Sequence, residues 1–448
     1  MKPVSRRVLS VCIVGLGACL TGAILLGGCG EERGPEQVSR TLPNGVRLLV
    51  RENRASEVVA VQAWVADGAL YETPDEAGLA YLLSQMMFTK TSDRELGAVP
   101  REIESLGGST VVNPRHDFIE YAAVAPSEHL DVLVDIMADG LLNAIFDSLY
   151  FEDMKEDALS HIESIGQRPM ERAHQMCISD LLGGHPYGRP VQGTSESLSR
   201  LTLANVRDRY RRVYNGANLL VSIAGDVEPM ETADLVEERL AGIEPGEPAA
   251  PAAASVDWPD VRSRVVRTAD VRTAYQVMCF PAPSIVDEEN ITMDVLLMVL
   301  TGGRSSRLER ALSEERQLAT GVEAGWYTLR QPSPLFVWME LPPDNVEAAE
   351  EAVASLFMDL AEAEVSPEEL SKAKTYWKTQ VYFLNETSEG QAFYDAYWTF
   401  LGWPELPQEY LESIDRVTTD EVRRAAEKYF GTGAYATSVL LPEWAGEQ

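Results

Sequence analysis

Cysteine, histidine and positive charge are the scarce features of this 448-residue chain. Of its five cysteines, Cys12, Cys19 and Cys29 fall close to the N-terminus, leaving Cys177 and Cys279 for the body of the protein. A scaffold built from disulfides is therefore excluded, and at most one bridge can form. Each of the two has apolar neighbours and reads most simply as a small buried hydrophobe. All five histidines lie between His116 and His185. An imidazole-based metal site would have to draw on His116 (beside Asp117), His129, His161, His174 and His185. His161 and Glu163 are two apart, so on a helix they face different ways. Lysine and arginine number 38 against 70 acidic residues, a formal charge of −32. That balance repels nucleic acid and anionic lipid as bulk partners. A Gly-Lys-Ser/Thr phosphate loop, a dinucleotide glycine fingerprint and a Gly-x-Ser-x-Gly elbow are all missing.

A long apolar run occurs once, from Val8 to Leu26, after Lys2, Arg6 and Arg7 and before Leu26-Gly27-Gly28-Cys29-Gly30. Charge and apolar length read as a signal peptide, residues 1–28. The small residues before Cys29 resemble a bacterial lipoprotein signal, in which Cys29 becomes the acylated first residue of the mature chain; palmitate is among the expected acyl groups. An uncleaved membrane anchor is the alternative. Either way the chain leaves the cytoplasm and stays on a membrane. Gly30 in place of Asp after the cysteine resembles the signal for passage to the outer membrane, which implies the periplasmic face of that membrane within the cell envelope. Without the three leader cations the balance is 35 against 70.

About 420 residues follow, too many for one comfortable core, so two domains are expected. Residues 29–39 read as a lipidated polar tether. Asn44-Gly45 between apolar flanks predicts a hairpin turn. Val58 to Ala66 alternates as a strand. Glu72 to Phe88 reads as one helix, with Leu79, Leu82, Leu83, Met86 and Met87 at three-and-four spacing. Phe118 to Ala125 and Asn218 to Val227 read as strands, and His129 to Leu142 as a helix. Residues 242–260, rich in Pro and Ala, read as a linker, either flexible or lying ordered along the surface. The outline then repeats: strands at Tyr275–Pro281 and Pro334–Leu341, helices at Asn290–Leu300 and Ser305–Ser313. The two ends match best, Leu201-Thr202 to NLLVSIA against Val417-Thr418 to YATSVLL. The reading is an α+β protein of two tandem homologous sheet-and-helix domains, 40–241 and 261–448, facing each other as a clamshell.

Leu42-Pro43-Asn44-Gly45, Gly78-Leu79-Ala80, Ile103 to Gly108, His185-Pro186-Tyr187-Gly188 with Gly193-Thr194, Gly225-Asp226-Val227 and Gly302 to Leu308 stand in an order and spacing that resembles the pitrilysin/insulinase (M16) superfamily. The resemblance runs from about Thr41 to about Leu441 and is nearest to the two-domain branch of processing peptidase and bc1 core subunits. Active relatives carry His-x-x-Glu-His on the helix after Gly-Leu-Ala, two zinc ligands and a general base. Here the ligand positions hold Tyr81 and Gln85 and the base position holds Ser84. The third-ligand position, a glutamate in relatives, matches His161. None of the helix replacements supplies the lost chemistry, because a neutral amide is a poor zinc donor, a phenol keeps its proton near pH 7 and a serine hydroxyl accepts none. Active members also hold substrate with an arginine and a tyrosine from the second half. Ser313 and Thr320 occupy those positions, with Arg316 or Tyr327 nearby as substitutes.

The resemblance thus implies a non-catalytic subunit that binds no zinc or other cofactor itself. It would pair as a heterodimer with a zinc-bearing paralogue around a peptide chamber. A peptide-binding or scaffold lipoprotein without such a partner, and a metallopeptidase with a non-standard site, are the alternatives.

Overall fold

The computed structural model describes residues 36–251, 256, 258, 261–404 and 406–445. The signal segment and Cys29 lie outside the described residues. Among the described residues eleven strands form two sheets. The first contains β1 (Gln37–Thr41), β2 (Arg47–Glu52), β3 (Val58–Val65), β4 (Ser109–Pro114), β5 (Ile119–Pro126) and β6 (Leu219–Gly225). The second contains β7 (Ser263–Ala269), β8 (Ala274–Phe280), β9 (Gly321–Trp326), β10 (Leu335–Leu341) and β11 (Ala436–Pro442). The helices of the first half are α1 (Leu79–Met86), α2 (Ala98–Ser105), α3 (Leu130–Leu142), α4 (Ser148–Gly166), α5 (Pro169–Leu182), α6 (Ser195–Arg200), α7 (Leu203–Val213) and α8 (Pro229–Arg239). Those of the second are α9 (Asn290–Thr301), α10 (Arg307–Glu309), α11 (Val346–Glu362), α12 (Pro367–Leu384), α13 (Ser388–Leu401), α14 (Leu406–Arg416) and α15 (Thr419–Phe430).

The sheets repeat one topology. Strand order β2-β6-β3-β5-β4 in the first becomes β7-β11-β8-β10-β9 in the second. In each, the first pair is parallel and the other pairs are antiparallel. The addition in the first half is β1, paired with β2 from Gln37 opposite Arg51. This corrects the tether reading, since Gln37 to Ser39 already belong to a strand.

Each sheet keeps its own helices on one face and receives a helix of the other half on the opposite face. Helix α5 packs on β8 and β11, and α13 packs on β6 and β3. This exchange explains why β6 is buried along its whole length and reads as a continuous apolar run. Leu219, Val221 and Ile223 enter the first half's own core. Ala224, with Ala60 and Ala392, forms a small-residue contact with α13, and Ser222 Oγ donates to Ala392 O at 2.9 Å. The second half mirrors it, with Ser438 Oγ donating to Ala173 O of α5.

Two helix expectations are corrected. The stretch Glu72–Phe88 divides into a short 3-10 turn, Pro74–Glu76, and α1. Between them Gly78 sits at φ 90°, with no space for a side chain because a Cβ would stand 2.6 Å from Gln192 O. Ser305–Ser313 holds only α10, followed by a π turn, Arg310–Glu314. The first part of the linker lies along the first half: Gly216 N donates to Glu244 O at 2.8 Å and Ala249 N to Asn218 Oδ1 at 2.6 Å.

Candidate functional site

Helix α1 carries Tyr81, Ser84 and Gln85, the positions that the resemblance matches to a zinc motif, and Glu72 fixes its start. The Glu72 carboxylate accepts from Gly78 N at 3.0 Å and Ala80 N at 2.6 Å, doing from six and eight residues upstream what an N-cap side chain does locally. Burial raises this carboxyl to about 7, against the pull of the two amide donors.

Opposite α1, α4 presents His161. The Tyr81 and His161 rings lie parallel, 7° apart in plane, with centroids at 6.4 Å. The structure therefore brings the first and third ligand positions face to face. Burial, and then the nearby Asp157 charge, push the Tyr81 phenol up, away from the phenolate a metal would need. Ser84 is buried; its Oγ donates to Tyr81 O at 2.7 Å and receives Gln85 Nε2 at 3.2 Å. The hydroxyl is thus tied to its own helix, and the amide to the hydroxyl. His161 and Glu163 are exposed. Among the described residues no group of three or more His, Cys, Asp and Glu could hold a metal ion. The side chains at α1 do not fit a zinc ion.

Of the other histidines, His129 caps the start of α3, 3.8 Å from the Glu128 carboxylate, while His116, His174 and His185 lie apart from one another near the seam between the halves. His116 Nε2 meets Arg189 O at 3.2 Å, His185 Nε2 meets Gln331 Oε1 at 2.8 Å, and His174 Nδ1 accepts from Trp338 Nε1 at 3.1 Å. Burial lowers His116 and His174 to about 4, so both are neutral near pH 7.

In the second half, Ser313 lies half-buried in the π turn. Thr320 is spent on Glu340 O, which receives its N at 2.8 Å and its Oγ1 at 3.0 Å. Arg316 is exposed before β9, and Tyr327 follows its other end. Tyr327 stands at the seam against His174 (6.4 Å between centroids) and Phe336 (5.6 Å).

Sequence reasoning missed what closes this seam. Asp117 Oδ1 accepts from Tyr187 OH at 2.6 Å, and its Oδ2 from Arg330 N at 2.6 Å. Gln331 N reaches Tyr187 OH at 3.2 Å, and an Arg330 Nη reaches Phe400 O at 2.8 Å. Asp117 is fully buried, and burial pushes its carboxyl up although the loop amide and Tyr187 oppose this. The loop after β9 thus docks on the first half through the His185-Pro186-Tyr187 stretch, whose landmark status was the available signal. Cys177 of α5 and Cys279 of β8 form a disulfide across the seam, with Cα atoms 6.6 Å apart. Both are buried as expected, but as partners rather than as separate hydrophobes.

The comparisons with known proteins agree with this architecture. Residues 47–195 match the insulinase (peptidase family M16) domain and residues 200–376 the peptidase M16 inactive domain. The uncharacterized zinc protease YmxG of Bacillus subtilis is 22% identical over 404 residues, covering 90% of this chain and 97% of its own. An uncharacterized zinc protease of Mycobacterium leprae is 26% identical over 421 residues, covering 90% and 93%. Among solved structures, a protease from Helicobacter pylori superposes with a TM-score of 0.85 at 19% identity, covering 91% of this chain and all of its own. A peptidase M16 inactive domain from Pseudomonas fluorescens gives 0.82 at 18%, covering 91% and 98%. The first half of the periplasmic protease PqqL from Escherichia coli gives 0.75 at 18%, covering 92% and 93%. Two tandem sheet-and-helix halves, with α1 facing α4 in the first, define a two-domain M16-like clamshell. This chain belongs to the M16 superfamily.

Proposed function

We propose that this protein is an exported, lipid-anchored M16 subunit that makes no zinc site of its own and completes the peptide chamber of a zinc-bearing paralogue. One observation carries the reading: α1 and α4 keep the geometry that would face ligands toward each other, while Tyr81, Ser84 and Gln85 supply none of the chemistry. A folded but chemically silent site fits a subunit retained for its walls and its interface. Strand β4 supports a peptide-binding role. It borders α1, pairs among the described residues with β5 alone, and so offers a backbone edge to which an extended peptide adds as a strand. Export is consistent with the periplasmic setting of PqqL. No described helix is long and apolar enough to cross a membrane; the attachment in this proposal is the acyl chain on Cys29.

The test is zinc content and peptide hydrolysis of the purified protein, alone and mixed with a co-purifying relative. No metal and no turnover alone, with turnover in the mixture above that of the relative, is the expected result. Stoichiometric zinc with chelator-sensitive activity in the isolated chain would overturn it. A mixture no more active than the relative alone would leave a scaffold role.

A further inference from the structure

Beyond Glu368 and Glu369 in its first turn, helix α12 (Pro367–Leu384) is basic within an acidic chain. From Leu370 to Asn385 it carries Lys372, Lys374 and Lys378 and no carboxylate, in a protein of net charge −32. Its outward stripe runs through Lys372, Thr375 and Thr379 to Tyr382 and Phe383, which are 57% and 43% exposed. Lys374 and Lys378 flank the stripe. Both lean on Asp415, Lys374 through its carbonyl at 2.8 Å and Lys378 through its carboxylate at 2.9 Å. Glu386 is the next acidic residue along the chain.

This end of α12 adjoins the point where the tether enters the fold. Glu36 N lies 3.5 Å from the Glu52 carboxylate, and Glu52 N donates back to Glu36 O at 2.9 Å. The next residue, Asn53, donates to Gln391 Oε1 at 3.0 Å. Gln391 Nε2 donates to Asn385 O at 2.9 Å, and Asn385 N to Tyr382 O at 3.0 Å. Six residues lie between Cys29 and Glu36, so the seven Cα-to-Cα steps reach at most about 25 Å when fully extended. An acylated Cys29 would hold this corner of the molecule against the bilayer.

The geometry points to Tyr382, Phe383 and the lysines of α12 as the face that lies on the membrane, contacting the anionic phospholipid headgroups. It rests on the lipid-anchor reading of Cys29. A strongly acidic protein tethered this closely is repelled from an anionic surface in most orientations. The acid-free stripe is a face that can approach, and aromatic rings beside lysines suit the interfacial zone.

The test uses the full chain in vesicles of phosphatidylethanolamine and phosphatidylglycerol, with an environment-sensitive fluorophore on Tyr382→Cys or, for comparison, on Leu149→Cys, which is another exposed apolar position (77%). The mass of the N-terminal peptide reports acylation independently. Acylated Cys29, with several-fold stronger quenching by nitroxide lipids at position 382 than at 149, is the expected result. Slower amide exchange over 374–386 in unlabelled, vesicle-bound protein should accompany it. An acylated chain in which 149 responds and 382 does not, or neither does, overturns the face while leaving the anchor. An unmodified Cys29 overturns both. Protection at 382 that appears only when a relative is added assigns the stripe to a subunit contact and also overturns the proposal.

Discussion

Replacing Glu120 with glutamine tests the electrostatics of the seam. Glu120 sits on β5 opposite Asn113, on the sheet face that meets the second half, and is 3% exposed. Its carboxylate accepts a hydrogen bond from Asn113 Nδ2 at 2.8 Å. Burial raises its carboxyl from 4.5 to about 7; Asn113 and the Arg115 charge oppose the rise and Glu389 of α13 adds to it. An elevation of that size corresponds to about 3 kcal/mol. The folded state holds this proton more tightly than the unfolded chain does. The stabilising contribution is therefore complete below pH 4.5 and is lost as pH rises through about 7. Glutamine keeps an oxygen for Asn113 and removes the charge. Glu120→Gln should match the parent near pH 4.5 and exceed it at pH 8 by up to about 3 kcal/mol. Guanidinium unfolding at the two pH values, followed by tryptophan fluorescence, is a direct readout because Trp64 lies opposite Glu120 in the sheet. Equal curves for parent and variant at pH 8 would refute the reasoning, since a buried, weakly partnered carboxylate must then cost nothing to ionise.

Arg209 and Asp67 are 2% and 0% exposed and paired. Arg209→Met leaves Asp67 buried without its cation and should cost about 3–5 kcal/mol, read as a lowered thermal midpoint; an unchanged midpoint would mean the pair is idle. Gly78→Ala places a methyl against Gln192 O and forces φ 90° on an L residue, so it should destabilise by at least about 1 kcal/mol, with faster amide exchange in α1 as the local check. Tyr81→His with Gln85→His should create measurable zinc binding with His161 as third donor, yet no peptide turnover while Ser84 remains. Turnover in that double variant would show that another residue serves as the base. Cys177→Ser opens a cross-link spanning 102 residues and should lower stability by about 2–5 kcal/mol. Thiol titration of the denatured, unreduced parent should find neither Cys177 nor Cys279 free.

The sequence alone determined what rests on local chemistry. The residue types at Tyr81, Ser84 and Gln85, within one helical turn on α1, are read before any folding is considered, and the proposal of a zinc-free site rests on them. The duplication was legible because each half writes the same period-two and three-and-four patterns, most clearly where β6 and β11 begin. Only the tertiary structure decided what rests on long-range contact. Hydrophobic period reports that a face is buried but not which element covers it, so the exchange of α5 and α13 between the halves left no local trace. The same blindness hid the pairing of Cys177 with Cys279, the docking of the Arg330 loop on Asp117 and Tyr187, and the spending of His116, His174 and His185 on separate partners. Each joins groups tens to hundreds of residues apart, and such partners are chosen by how the two sheets stack rather than by spacing along the chain.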